Sequence, residues 1–153
     1  MALDVGSTAP DFTLPDQERQ PVTLSAFRGR PVVLAFFPAA FSSVCTTELC
    51  TFRDRLAALN QSRAQVFGIS VDTFFTLKAF HGAQGLTFPL LSDFNKQVIR
   101  DYDVYNPDMI GLHGVAKRAV FVLDGGGIVR HREVLEDARN EPDYEKAMAA
   151  IQL

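Results

Sequence analysis

The feature that most constrains the fold is an uninterrupted apolar run at residues 31–37, which Pro38 ends. A strand with one exposed face alternates apolar and polar residues, whereas a strand covered on both faces is apolar throughout. A second uninterrupted apolar run lies at 119–123, and the mainly apolar segment 64–71 also predicts a buried strand. The sequence therefore predicts a central sheet with helices packed on both of its faces.

Shorter patterns predict the elements between these strands. We expect four helices: one that begins near Ser42 or Ser43 and has apolar residues from Val44 to Leu59, one over 76–83, one over 95–102, and one from Pro142 to near Ile151. The other expected elements are an extended arm at 10–20, a short strand at 22–24, a short strand or loop at 88–91, the hairpin turn Asp124-Gly-Gly-Gly127 and a strand at 128–135. This order fits a thioredoxin-like α/β fold, with a mixed sheet flanked by helices, in a single domain over residues 1–153.

Charge and hydropathy exclude several classes of partner. The chain has 153 residues and a formal net charge of −3, and its basic residues are scattered, so we expect no nucleic-acid surface. No apolar run approaches the roughly 20 residues that span a bilayer, and we expect no membrane association. The first residues lack a signal-peptide pattern, which favours a cytoplasmic enzyme.

The chain has two cysteines, Cys45 and Cys50, too few for a disulfide scaffold. One interpretation is that both are small buried apolar residues. However, Cys45 falls where a buried strand gives way to a helix, and a helix start stabilises an anion such as a thiolate. An ordinary thiol is only about 3% ionised at pH 7. Lowering its pKa by about 2 units requires about 2.7 kcal/mol of stabilisation of the thiolate relative to the thiol. A helix start supplies roughly 0.3–2 kcal/mol, so a further cation or hydrogen bond is required.

Two polar residues are candidates for that further contact. Ser42 lies one helical turn before Cys45, so its hydroxyl can reach the thiolate, although an N-cap is the common role of such a serine. Arg118 directly precedes the strand predicted at 119–123, where a solvated surface charge is the alternative. The three histidines are dispersed, and neither a C-x-x-C nor an H-E-x-x-H spacing occurs, so no zinc site is expected.

The segment Pro38-Ala-Ala-Phe-Ser42-Ser-Val-Cys45 resembles the peroxiredoxin active-site pattern P-x-x-x-[T/S]-x-x-C. Further resemblances lie in the family's order along nearly the whole chain, at 10–14, 68–72, 88–93 and 118–124. Within the family, 90–94 and 111–121 are similar to the alkyl hydroperoxide reductase E type, and Cys50 to the bacterioferritin-comigratory, or Q, type. Asp103 departs from the E type, which has glycine there.

The resemblance implies a role for each matching residue. Cys45 would be the peroxidatic cysteine, which peroxide oxidises to a sulfenic acid. Pro38 would shield the pocket, Ser42 would hydrogen-bond the peroxide, and Arg118 would hold the thiolate and polarise the peroxide. Glu48 would orient an arginine by ion pairing, although an acid also suits a first helical turn on its own. The resemblance implies no metal and no organic cofactor.

Cys50 is the candidate resolving cysteine. Five residues along a helix give a rise of about 7.5 Å and a rotation of about 140°, so the two side chains point apart while the helix is intact. A Cys45–Cys50 disulfide therefore requires the first helical turns to unwind. The alternative is an inert Cys50 and a one-cysteine cycle that an external thiol completes.

The expected partners follow from this chemistry. Substrates would be hydrogen peroxide and organic hydroperoxides, and the reductant would be a thioredoxin, a glutaredoxin or a low-molecular-weight thiol. The resemblance also suggests a homodimer that packs near the active-site edge. The competing functions are a thioredoxin-like disulfide reductase, which needs the missing C-x-x-C, and a thiol redox sensor or holdase.

Overall fold

A five-stranded mixed sheet forms the centre of the computed structural model, which describes residues 3–58 and 64–151. The strands are β1 Thr13–Pro15, β2 Pro21–Thr23, β3 Val32–Phe36, β4 Gln65–Ser70, β5 Leu90–Ser92, β6 Tyr105–Asn106, β7 Val115–Ala116, β8 Arg118–Leu123 and β9 Val129–Leu135. The helices are α1 Ser43–Ala58, α2 Phe74–Gln84, α3 Gln97–Asp101 and α4 Tyr144–Ile151.

The central sheet has the strand order β5-β4-β3-β8-β9. β3, β4 and β5 run parallel, whereas β8 runs antiparallel to β3, and β9 antiparallel to β8. All five residues of β3 are buried, because strands flank it and apolar layers cover both of its faces. The predicted thioredoxin-like α/β fold with a mixed sheet is confirmed.

Two apolar layers cover the sheet, one on each face. On one face α1, α2 and α4 pack through residues such as Leu49, Phe80 and Met148. On the other face α3 and the N-terminal arm pack through residues such as Ile99 and Phe12. Consecutive residues of β3 and of the segment 119–123 of β8 alternate between the two layers, which is why both segments are apolar throughout.

Several boundaries differ from the sequence-based expectation. The helix predicted over 95–102 is shorter, because Lys96 adopts a positive φ of 65° and the Asp93 carboxylate accepts the N–H groups of Val98 and Ile99. The strand predicted at 22–24 ends one residue earlier, where a 3₁₀ turn over Leu24–Phe27 begins. The small hairpin of β6 and β7 was not predicted, because strands of two residues carry no readable period.

Two further expectations can be compared with the structure. Asp103 has a φ of 57°, which glycine adopts freely and aspartate tolerates. This backbone conformation explains why the E-type pattern has glycine at the position of Asp103. The predicted helical position Leu59 lies outside the described residues. Within the described residues, no helix combines the length and the apolar character that a membrane span needs.

Candidate active site

Cys45 occupies the first turn of α1, as the sequence predicts. α1 begins at Ser43, directly behind the loop that follows β3, so Cys45 is its third residue. Its side chain is fully buried, and the preceding Pro38 is buried as well. Residues this close to a helix start have backbone N–H groups without helical partners, which favours a negative charge on the sulfur.

Arg118 provides the cation that the sequence argument required. It is the first residue of β8, and the antiparallel pairing of β8 with β3 brings it beside the end of β3. The loop of residues 37–42, which leads to Cys45 and is called the Cys45 loop here, begins at that end of β3. Its Nη2 donates to Cys45 Sγ at 3.3 Å. The residue is only 2% exposed, so the expectation of a solvated surface charge is excluded. A buried guanidinium and a buried thiol therefore form a direct contact.

Two further groups fix the orientation of the Arg118 guanidinium. Its Nη1 donates to Glu48 Oε1 at 2.8 Å, and Glu48 is itself fully buried. The main-chain carbonyl of Ala138 accepts from Nε at 3.1 Å and from Nη2 at 2.9 Å. The sequence analysis singled out Glu48 but missed Ala138, because any residue type can supply a carbonyl.

Burial and charge act in opposite directions on this pair. Burial raises the pKa of Glu48 from 4.5 to about 7, against the opposing effect of Arg118. Burial also disfavours the charge of Arg118, but the charges of Glu48 and Cys45 outweigh it and raise the Arg118 pKa above its ordinary value. Glu48 Oε2 is buried without a hydrogen-bond partner among the described residues, in keeping with a carboxyl group that takes up a proton readily.

Glu48 should make stability depend on pH. Because its folded-state pKa lies above the ordinary value, protonation of Glu48 stabilises the folded state. This contribution to the free energy of unfolding is complete below pH 4.5 and is lost as the pH rises through 7. The two pKa values differ by about 2.5, which corresponds to about 3 kcal/mol. In urea unfolding experiments between pH 4 and pH 8, we expect the free energy of unfolding of wild type to fall as the pH rises. The Glu48→Gln variant should lack the part of this fall that is due to Glu48.

The matched control is Glu145→Gln, since the Glu145 side chain is 81% exposed. That variant should follow the wild-type dependence on pH. Parallel curves for wild type and Glu48→Gln would contradict the assignment of the titration to Glu48.

Ser42 lies at the start of α1 but does not cap it with its side chain. Its hydroxyl donates to the Ala39 carbonyl at 2.8 Å, while its own carbonyl accepts from the N–H of Thr46 at 3.0 Å. The hydroxyl proton is thus engaged, and the oxygen lone pairs remain available as acceptors. Ser42 is exposed and lines the same pocket as Pro38 and Arg118.

Asp72 holds the loop between β3 and α1 in position. Its Oδ2 accepts the N–H of Ala40 at 2.8 Å and the hydroxyl of Ser70 at 2.7 Å. Phe41, which follows Ala40 in this loop, has a positive φ of 68°. Its ring packs on the ring of Phe80, with the two centroids 5.0 Å apart. Asp72 lies in the segment 68–72 that resembles the family, but no local pattern in the sequence predicts its contact with a loop over thirty residues away.

Cys50 lies on the same helix as Cys45, but the structure does not bring the two thiols together. α1 is continuous through both residues, and both thiols are free. Cys50 is half-buried, and its Sγ lies 3.7 Å from Gln84 Oε1 at the end of α2. Arg53 also donates to the main-chain carbonyl of Gln84. These contacts tie this part of α1 to α2.

A pocket of about 620 Å³ opens beside the Arg118 contact. Its lining combines apolar and charged side chains. The lining includes Pro38, Ser42, Val44, Met109, Ile110 and Arg118. The arrangement can stabilise a thiolate and, next to it, negative charge that develops on a small oxygen-containing substrate.

Comparisons with known proteins agree on one family. The model described as the AhpC/TSA family matches residues 5–132, a segment that contains Cys45, Cys50 and Arg118. Alkyl hydroperoxide reductase E of Mycobacterium tuberculosis is 41% identical over 154 residues, which cover 97% of this chain and 98% of that protein. The chloroplastic peroxiredoxin Q of Sedum lineare is 42% identical over 125 residues, or 82% of this chain and 66% of that protein.

The fold is also similar to solved structures. The crystal structure of peroxidoxin BcpB from Mycobacterium tuberculosis aligns with a TM-score of 0.86 and 33% identity, over 98% of this chain and 97% of that one. Both the sequence similarity and the structural similarity therefore extend over almost the whole chain.

Proposed function

Because the chain belongs to the AhpC/TSA family and is a thiol-dependent peroxidase of the peroxiredoxin type, we propose that Cys45 is the thiol that peroxide oxidises. The observation that carries this proposal is the 3.3 Å contact between Arg118 Nη2 and Cys45 Sγ. Among the described residues, Cys50 accepts no hydrogen bond from a guanidinium: its Sγ lies 3.7 Å from Gln84 Oε1, and Arg53 interacts with it through charge alone. A cation held against Cys45 makes that sulfur the stronger candidate for the nucleophile.

The reaction is a displacement at oxygen. The Cys45 thiolate attacks the terminal oxygen of a hydroperoxide, an S–O bond forms and the O–O bond breaks. The sulfur loses two electrons and becomes a sulfenic acid, and the leaving oxygen takes up a proton and departs as water or an alcohol. Arg118, fixed by Glu48 and Ala138, stabilises the negative charge that develops on the leaving oxygen.

Ser42 and Pro38 complete the proposed site. The Ser42 hydroxyl donates to Ala39, so its lone pairs are free to accept the hydrogen bond that a peroxide O–H donates. Pro38 is buried and lines the same pocket as Arg118, and we propose that it limits access of water to the sulfur. We propose hydrogen peroxide and organic hydroperoxides as substrates, since a pocket of about 620 Å³ has room for both and its lining includes apolar side chains.

Cys50 is the proposed resolving cysteine. Its thiol attacks the sulfur of the Cys45 sulfenic acid, a disulfide forms and water leaves. Because α1 is continuous through both residues, this step requires the first turns of α1 to unwind and Cys50 to leave Gln84. A half-buried thiol with one long contact to a side chain can be released in this way.

We expect Cys50→Ser to stop the cycle after the first step. Mass spectrometry after one equivalent of hydrogen peroxide should show an intramolecular disulfide in wild type and a sulfenic acid in the variant. Excess peroxide should carry the variant on to the sulfinic acid. The control is Thr47→Ser, an exposed position on the same helix, which should still form the disulfide. A stable sulfenic acid or a mixed disulfide at Cys45 of wild type would instead favour the one-cysteine cycle with an external thiol.

Turnover requires a reductant for the oxidised enzyme, and we propose a thioredoxin, a glutaredoxin or a low-molecular-weight thiol. Such reductants keep thiols reduced in the cytoplasm, which supports a cytoplasmic location. Steady-state consumption of hydrogen peroxide with each of these reductants tests the proposed function.

We also propose a homodimer. Phe75 and Phe94 are 69% and 59% exposed, and both follow carboxyl ends of parallel strands, at the sheet edge from which the Cys45 loop also starts. Large apolar side chains exposed together favour burial in an interface, and sedimentation velocity would report it.

A further inference from the structure

A tight hairpin at 109–112 stands at the mouth of the active-site pocket. Met109 and Leu112 exchange two main-chain hydrogen bonds of 2.9 Å each. The two residues between them, Ile110 and Gly111, have positive φ angles of 47° and 89°. A two-residue turn with both φ values positive strongly prefers asparagine, aspartate or glycine. Gly111 fits this preference, and Ile110 does not.

Ile110 is unfavourable for the fold in two ways. A β-branched residue at positive φ is strained, because its side chain crowds the backbone. Its side chain is also 93% exposed, so no apolar burial offsets the strain. Strain of this kind persists where the surroundings impose it, and it concentrates at functional sites.

The surroundings of the hairpin do impose this conformation. Asp108 Oδ1 accepts the N–H of Gly111 at 2.9 Å, and Asn106 Oδ1 accepts the N–H of Asp108 at 3.1 Å. His113 Nδ1 lies 3.0 Å from the Pro107 carbonyl, and β6 pairs with β7 at the base of the hairpin. The Ile110 side chain is therefore held at a fixed point of the pocket mouth.

Ile110 lines the active-site pocket together with other apolar residues. Met109, Ile110 and Val44 line the same pocket as Arg118. The charged side chains of the lining already have partners: Asp137 pairs with Arg139 at 2.8 Å, Glu136 pairs with Lys117 at 3.3 Å, and Asp108 accepts the N–H of Gly111. The apolar lining residues thus suit an uncharged, apolar substituent.

We propose that Ile110 is a specificity-determining residue that contacts the apolar substituent of an organic hydroperoxide while its O–O group lies against Cys45 and Arg118. This inference rests on the proposed peroxidase function and adds the residue that favours organic hydroperoxides over hydrogen peroxide. The residues that suit the turn without strain, such as asparagine or aspartate, would place a polar side chain at this position, whereas Ile110 provides an apolar one.

The test compares Ile110→Asn with Leu112→Asn. Asparagine suits the turn at position 110, so that variant should be at least as stable as wild type in thermal unfolding. Leu112 is 46% exposed in the same hairpin but is not among the described residues that line the pocket, so it is the matched control. Stopped-flow single turnovers would give the second-order rate constants for cumene hydroperoxide and hydrogen peroxide.

We expect Ile110→Asn to lower the ratio of the two rate constants, cumene hydroperoxide over hydrogen peroxide, about tenfold. Leu112→Asn should leave that ratio at the wild-type value. An unchanged ratio in Ile110→Asn would overturn the inference, and so would an equal fall in both variants. An unchanged ratio with a loss of dimer in sedimentation velocity would assign Ile110 to contact between two copies of the chain instead.

The outcome also separates this inference from its premise. If wild type reacts with neither peroxide, the proposed function is wrong. If wild type and Ile110→Asn both react with hydrogen peroxide and share one ratio, the proposed function stands and the specificity role of Ile110 is wrong.

Discussion

The Cys45→Ser variant is expected to lose peroxide consumption almost completely, by a factor on the order of 10⁴ or more. A serine hydroxyl stays protonated near neutral pH without an adjacent general base, and the described contacts of Cys45 provide a guanidinium rather than a base. The measurement is hydrogen peroxide consumption in single turnover and in steady state with a thiol reductant.

The matched control for this variant is Cys50→Ser, which should still consume the first equivalent of peroxide at the wild-type rate. Since Cys45 is fully buried and serine is slightly smaller than cysteine, circular dichroism and thermal unfolding should verify that the fold is kept. Single-turnover consumption that persists in Cys45→Ser would exclude Cys45 as the nucleophile.

The Arg118→Gln variant is expected to lower the rate constant for peroxide by about 10²–10³. Glutamine removes the charge that lies 3.3 Å from Cys45 Sγ, so both the thiolate and the leaving oxygen lose their stabilising cation. Because the chain has no tryptophan whose fluorescence could be followed, competition kinetics over a range of pH measures the loss. The decrease should be smaller than that of Cys45→Ser, because the nucleophile itself remains.

Loss of fold must be separated from loss of chemistry in this variant. Removing one partner of a buried ion pair destabilises a protein by about 3–5 kcal/mol. The raised pKa of Glu48, about 7, lets that carboxyl become protonated and reduces the penalty. The double variant Arg118→Gln/Glu48→Gln removes both members of the buried ion pair, so it should recover stability without recovering the rate. Recovery of both would make the role of Arg118 structural.

The control for charge alone is Lys117→Gln. Lys117 precedes Arg118 in the chain, but its Nζ pairs with Glu136 at 3.3 Å on the surface. That variant should keep the wild-type rate constant. An equal fall in both variants would indicate a general effect of charge rather than the specific contact between Arg118 and Cys45.

Much of the site could be predicted because it depends on local features of the chain. The apolar run that ends at Pro38 predicted the buried strand, and the pattern behind it predicted a helix start before Cys45. Arg118 was predicted from its place in front of a strand and from the family pattern. What the sequence could not provide was the direction of that side chain, which the antiparallel pairing of β3 with β8 determines.

Other parts of the site depend on tertiary contacts that leave no local pattern. The Ala138 carbonyl orients Arg118 through the main chain, so its residue type carries no signal. Asp72 reaches Ala40 only after β3 and β4 have paired. The strained turn at Ile110 was missed because its sequence contradicts the usual preference for such a turn. Positions where local preference and observed conformation disagree are common at functional sites.

Identification of the first residue that peroxide oxidises would decide whether Cys45 is the reacting thiol of this enzyme. Reduced wild-type protein would be mixed with one equivalent of hydrogen peroxide, trapped at short times with dimedone, alkylated and analysed by peptide mass spectrometry. We predict that a sulfenic acid appears first at Cys45 and at the rate at which peroxide disappears. Oxidation that begins at Cys50, or peroxide loss while Cys45 stays reduced, would contradict this prediction.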